Sequence, residues 1–212
     1  MLRRLWRLLK KMKIRLSDGE FLVKFARQVI EEYFGKERVK TVEDNAEILS
    51  KSMGVYVIFR VYPKGYIRGC AGYMEPIMNL ERAIRELTIY AAVRDIRYNP
   101  IRSSELNAVI IEISLLSKPE IIEVESTDDY IDKIKIGRDG LIVERGRFRG
   151  IMLPQIPFEQ KWGPKELLSL TCLKAGLEAD AYIDGETKIY RFTADIFTET
   201  EPRGKVIRRI MK

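Results

Sequence analysis

Residues 55–61 read VYVIFRV, β-branched or aromatic on both faces of any strand they form. Such a strand has no side to give to water, so it is expected to be buried on both. A turn at Pro63-Lys64-Gly65 sends the chain back as YIRGCAGYM, which makes a hairpin. After a turn containing Asn99-Pro100, AVIIEISLL is a further strand, with Val109, Ile111, Ile113 and Leu115 on one face and Glu112 and Ser114 on the other.

Helical patterns lie between these strands. Ser17-Asp18-Gly19-Glu20 has the form of a capping box, and the stripe Phe21, Leu22, Phe25, Val29, Ile30 and Tyr33 predicts a helix to about Phe34, closed by Gly35. A shorter helical stretch is expected over 43–53, and Asn79 can cap a helix running to about Arg94. Residues 117–163 are turn-rich and read as a second, smaller lobe, with strands expected near Ile134, at LIVE and at GIML. Pro164 suits the first position of a helix that ends at Gly176, and KIYRFTADIF reads as one last strand. Helices and hairpins without a regular βαβ rhythm give an α+β class: two lobes with mostly antiparallel sheets flanked by helices. A chain of 212 residues can bury a core for this without staples.

The formal charge of +7 comes from the two ends. Residues 1–13 carry six bases and residues 203–212 five, with no acid in either, which leaves 27 bases against 31 acids between them. A basic face for tracking phosphates is therefore not implied by the body, and nucleic-acid binding through the two basic ends is the weakest of the partner readings. Residues 1–11 form a basic amphipathic extension and 204–212 a basic tail. For the first 13 residues a terminal helix, or extra residues ahead of a start at Met12, is preferred over membrane contact. No run of about 18 apolar residues offers a membrane span. Two distant cysteines without a CxxC, and no histidine at all, exclude a structural zinc site and every mechanism that needs an imidazole. A reducing, cytoplasmic setting is expected. Abundant charge beside four Asn and three Gln resembles heat-adapted usage.

Arg68-Gly69-Cys70-Ala71-Gly72 is the segment where chemistry is most expected, because glycine weakens a strand unless a bulge, a tight crossing or close approach of a ligand requires it. On a regular strand Arg68 and Cys70 point the same way, so the guanidinium can stabilise a thiolate. The segment then reads as a nucleophile, redox thiol or anion clamp; the alternative is a small buried thiol in a cramped sheet with Arg68 ion-paired nearby. Glu112, a carboxylate in an apolar run, is either a general base in a cleft or the ion-pair partner of an arginine such as Arg68, the commoner state for a buried charge. Asp95, Arg97 and Tyr98, past a helix end, form a polar cleft edge or a surface turn. Cys172 reads as core.

Taken together, YIRGCAG, DIRYNPI, EISLLSKP, KIGRDGLIVE, IMLPQIPFE and LTCLKAGL resemble the AMMECR family over residues 12–203. Its LRGCIG hallmark is matched by Ile67, Arg68, Gly69, Cys70, Ala71 and Gly72, with Ile67 and Ala71 departing but remaining apolar. The resemblance implies a two-lobed α+β fold with a cleft between the lobes and the hexapeptide near it. For such proteins a role in nucleic-acid metabolism has been suggested from the motif, and fusion of some relatives to radical-SAM and Memo-like domains implies work beside a modifying enzyme. The expected ligand is a small anion or nucleotide-like molecule. Cys70 and Glu112 are the candidate catalytic residues, and Arg68, Gly69, Gly72, Ser114, Asp95 and Arg97 the candidate ligand-binding ones; no cofactor is assigned. A non-catalytic protein-interaction module is the alternative.

Overall fold

A computed structural model of the chain describes residues 14–37 and 46–211; the basic segment expected at residues 1–13 lies outside them. The chain forms two compact units. The first comprises the described residues up to Leu116 together with Asp195–Ile210, and the second is built on Ser117–Ala194.

In the first unit, helix α1 (Leu16–Tyr33) starts one position before the expected cap. Asp18, not Ser17, satisfies the exposed amide, accepting the Arg15 N–H at 2.9 Å while the Arg15 side chain holds its other oxygen at 2.9 Å. The short helix α2 (Ala46–Ser50) precedes strand β1 (Gly54–Val61). The hairpin partner β2 (Ile67–Tyr73) follows, with Gly65 at φ +77 in the turn. Asn79 caps α3 (Leu80–Ile89) by accepting the Arg82 N–H at 3.1 Å, and the helix widens into a π-helical turn, Tyr90–Arg94. A 3-10 turn at Ser103–Asn107 leads to β3 (Val109–Leu116).

These strands join β8 (Ala194–Glu199) and β9 (Val206–Arg208) in a five-stranded sheet of order β2-β1-β3-β8-β9, in which β1 pairs antiparallel with both β2 and β3. On its core side Val55, Val57 and Phe59 of β1 meet Ile111 and Ile113 of β3 under α1 and α3. Ile58 and Arg60 on the other face are buried as well, as a strand without a polar side requires.

The second unit holds α4 (Asp129–Lys133), α5 (Gln155–Gln160), α6 (Pro164–Lys174) and a four-stranded antiparallel sheet of order β4-β7-β5-β6. Its strands are β4 (Glu120–Ile121), β5 (Gly140–Arg145), β6 (Phe148–Met152) and β7 (Lys188–Phe192). Ile134 ends α4 and is not in a strand. The unit runs past residue 163 because α6 packs on β5 and β6 and β7 pairs with β5, giving a core of Leu141, Val143, Leu168, Cys172 and Ile189. Burial pushes the Cys172 thiol up to about 11, which keeps it protonated and inert.

One expectation for the C-terminal part is corrected. KIYRFTADIF is not one strand but β7 and β8 (Ala194–Glu199), in different sheets, because Thr193 leaves the ladder: its N–H is taken by Ser117 Oγ at 2.9 Å and its carbonyl by Ser117 N at 2.9 Å. The basic tail joins the first sheet: Val206–Arg208 forms β9 on β8, Arg208 pairs with Asp195 at 2.7 Å and Arg209 with Glu112 at 3.0 Å. Those arginines serve the fold.

A second buried ion pair frames the sheet. Glu199 on β8 accepts from Arg27 of α1 through both oxygens and from the Ile111 N–H at 2.9 Å. Arg27 also holds the carbonyls of Leu106 at 3.2 Å and Val109 at 2.8 Å. Glu199→Ala would leave a buried guanidinium and an amide unpaired, so it is expected to cost about 3–5 kcal/mol. Urea unfolding measures this as a lower midpoint at unchanged slope, whereas a loss below about 1 kcal/mol would contradict the role given to the pair.

Candidate functional site

Among the described residues strand β2 is the rim of its sheet, so every second N–H and C=O on it faces outward from the ladder. Its pairing with β1 slips between Phe59 and Arg60: Phe59 lies opposite Gly69, Arg60 opposite Ile67, and Arg68 is the extra residue of a β-bulge. A bulge breaks the alternation on which the shared direction of Arg68 and Cys70 rested. The Arg68 guanidinium instead grips Glu105 of the 3-10 turn at 3.0 and 3.2 Å and donates to the carbonyls of Asn99 at 2.7 Å and Pro100 at 3.4 Å. All three of its nitrogens are committed to anchoring the 99–105 segment.

The cation that reaches the Cys70 backbone is Arg97. Asp95, just past the π-helical turn, accepts the Cys70 N–H at 2.9 Å, and Arg97 donates to the Cys70 carbonyl at 3.2 Å. Arg97 also grips Asp95 with Nε at 2.8 Å and Nη2 at 2.7 Å. This ion pair fills the place of a missing strand at Cys70, taking both its outward amide and its outward carbonyl. Cys70 as a residue is half-buried. The Asp95 carboxyl lies below the usual range: desolvation pushes it up, but the hydrogen bonds from Arg97 and from the Cys70 and Arg97 amides outweigh it. Arg97 is held protonated by its hydrogen bond to Asp95, which outweighs desolvation, and then by the negative charge of Asp95. The Arg97 guanidinium lies 5.7 Å from the ring centre of Tyr98.

Both glycines of the hexapeptide have neighbours in the place of a side chain. A Cβ on Gly69 would stand 1.9 Å from the carbonyl oxygen of Ala91 in the π-helical turn, and one on Gly72 2.2 Å from the Tyr56 ring. Of the three reasons for glycine weighed from the sequence, a bulge and a tight crossing apply here.

Glu112 does not meet Arg68. It lies across β1 from Cys70, through Ile58, but its oxygens are taken by Arg60 and Arg209, each at 3.0 Å, and it is fully buried. A carboxylate between two guanidiniums is the ion-paired reading of Glu112, with Arg60 in the place expected for Arg68. Ser114 is buried in the next row, opposite Tyr56 and Gly72, away from the Asp95–Arg97 pair. Glu105 was missed, because its role is set by a contact 37 residues away that no local pattern records.

A carboxyl whose folded pKa is depressed contributes stability that is complete above its unfolded value, about 3.9 for aspartate, and that fades as pH falls through the folded value. Asp95 belongs to this class, as does Glu105, whose hydrogen bonds from the Arg102 amide and Arg68 outweigh its desolvation. Asp95→Asn is therefore expected to flatten the loss of stability below about pH 4, as measured by urea midpoints between pH 2.5 and 6. An unchanged slope would contradict the pairing.

The AMMECR1 family matches residues 23–197. The chain is 44% identical to a protein of Methanocaldococcus jannaschii, over 92% of this chain and 96% of that one, and 46% identical to a protein of Pyrococcus abyssi, over 93% and 98%. It is similar to the crystal structure of an uncharacterized protein from Pyrococcus horikoshii at 42% identity and a TM-score of 0.87, covering 94% of this chain and all of that one. With the match covering most of the chain, the glycine-thiol segment included, the chain belongs to the AMMECR1 family.

Proposed function

We propose that the rim of β2 binds a small anionic, nucleotide-like ligand, with Arg97 as its charge partner and the Cys70 thiol as nucleophile or thiol contact. The observation that supports this is the way Arg97 is held. Asp95 takes Nε and Nη2, while Nη1 has no hydrogen-bond partner among the described residues, on a side chain 55% exposed that also donates to the carbonyl of the half-buried Cys70. A guanidinium fixed in this manner offers an anion two protons in a set direction. Tyr98, half-buried beside it, supplies a flat surface for a base or sugar. Arg68, committed to Glu105, takes the role of anchor for the loop that carries Arg97.

A second reading, a protein-interaction module, is favoured by Ile96. It stands between Asp95 and Arg97 and is 100% exposed, an apolar side chain at the centre of a polar site.

The test is to measure alkylation of Cys70 at neutral pH and melting temperature with a panel of nucleotides, phosphate esters and carboxylates. A ligand of this site is expected to slow alkylation and raise the melting temperature by mass action. Arg97→Gln should abolish both effects and Ile96→Ser should preserve them. If no compound protects the thiol or stabilises the protein, the ligand reading fails. Turnover lost in Cys70→Ser with little change in melting would assign chemistry to the thiol, whereas lost stability with function intact would assign it to the sheet.

A further inference from the structure

The Asp95–Arg97 pair is held against Cys70 at a point where the helix before it is not regular. A π-helical turn carries an extra residue and so rotates whatever follows it. Here Tyr90–Arg94 is that turn, and Asp95 is the first residue beyond it, already extended at φ −71 and ψ 104. The turn sits directly on β2: the Ala91 carbonyl oxygen occupies the space of a Gly69 side chain, and Ala91 and Ala92 are both buried. The carbonyl of Ala92 in turn accepts the Ile101 N–H at 2.8 Å, closing the 95–100 segment into a loop over the strand. Gly69 therefore contacts the near end of the device and Cys70, the next residue, its working end.

We infer that Gly69 is a positioning residue: by admitting the Ala91 carbonyl to β2 it sets the π-helical turn at the height from which Asp95 and Arg97 reach the Cys70 amide and carbonyl. Any side chain at position 69 must lift a backbone oxygen, which no rotamer change can relieve, and the lift is passed to Asp95 four residues on. The opposite face of the strand is untouched, so the sheet pairing of Cys70 with Ile58 remains. The inference rests on the reading of Cys70 and Arg97 as a working pair but requires no ligand. A Gly69 effect without protection by any anion would leave the positioning role standing and remove the ligand.

The experiment is the pH profile of Cys70 alkylation by iodoacetamide in the full chain, with Cys172 silent because it is buried. Gly69→Ala is expected to move the profile to higher pH, in the direction of Arg97→Gln, and to slow alkylation at pH 7 by about 3-fold or more. The double variant should shift no further than Arg97→Gln alone, because both changes remove the same cation from the thiol. A Gly69→Ala protein that melts lower but keeps the unaltered profile, or a double variant in which the two shifts add, would overturn the proposal. Should Gly69→Ala fail to fold, hydrogen exchange on the unaltered protein decides. The Cys70 amide is then expected to open together with the amides of Ala91–Arg94, and independent exchange would overturn it.

Discussion

A strand at the edge of a sheet must do something with the polar groups it turns outward, and at Cys70 this chain answers with an ion pair instead of another strand. The Asp95 carboxylate takes the amide, the Arg97 guanidinium takes the carbonyl, and each holds the other. Much of the first unit is arranged around keeping them there. The π-helical turn aims them, Gly69 lets that turn approach, and Arg68 ties the following loop to Glu105. Arg27 in turn grips the carbonyls on either side of the Glu105 turn's exit, at Leu106 and Val109, and is itself fixed by Glu199. The chemistry proposed at the thiol and the protection of the sheet edge are thus two consequences of one interaction.

How much of this the sequence shows depends on the distance over which each decision is made. The double-faced burial of β1 is local, follows from residue type and appears where expected, whereas β3, which alternates apolar residues with Glu112 and Ser114, is buried on both faces. The importance of the glycine-thiol segment is also local, since two glycines in a strand demand a cause. The cause is not local: the oxygen at Gly69 belongs to Ala91, and the ring at Gly72 to Tyr56. The bulge at Arg68 is the decisive hidden feature. One extra residue leaves no mark in composition, yet it turns the arginine from the thiol toward Glu105.

The remaining differences have the same origin. KIYRFTADIF carries no break in its pattern at Thr193, because both halves are strands; only the bonds to Ser117, 76 residues earlier, divide them between sheets. The tail shows an excess of bases in the sequence because the acids that take Arg208 and Arg209 lie on β8 and β3. Ser17 and Asp18 are adjacent and both able to cap, and the guanidinium of Arg15 settles the choice for Asp18. Residue types named the participants of the candidate site, Cys70, Asp95 and Arg97 among them, while the partnerships came from contacts between distant segments.

The central claim is that the cation serving Cys70 is Arg97 and not Arg68. The direct measurement is the apparent thiol pKa, by alkylation against pH, in Arg97→Gln and Arg68→Gln compared under the same ionic strength. The account predicts that loss of Arg97 raises the thiol pKa and that loss of Arg68 lowers thermal stability with a far smaller change at sulfur. A rise in Arg68→Gln with none in Arg97→Gln would contradict it.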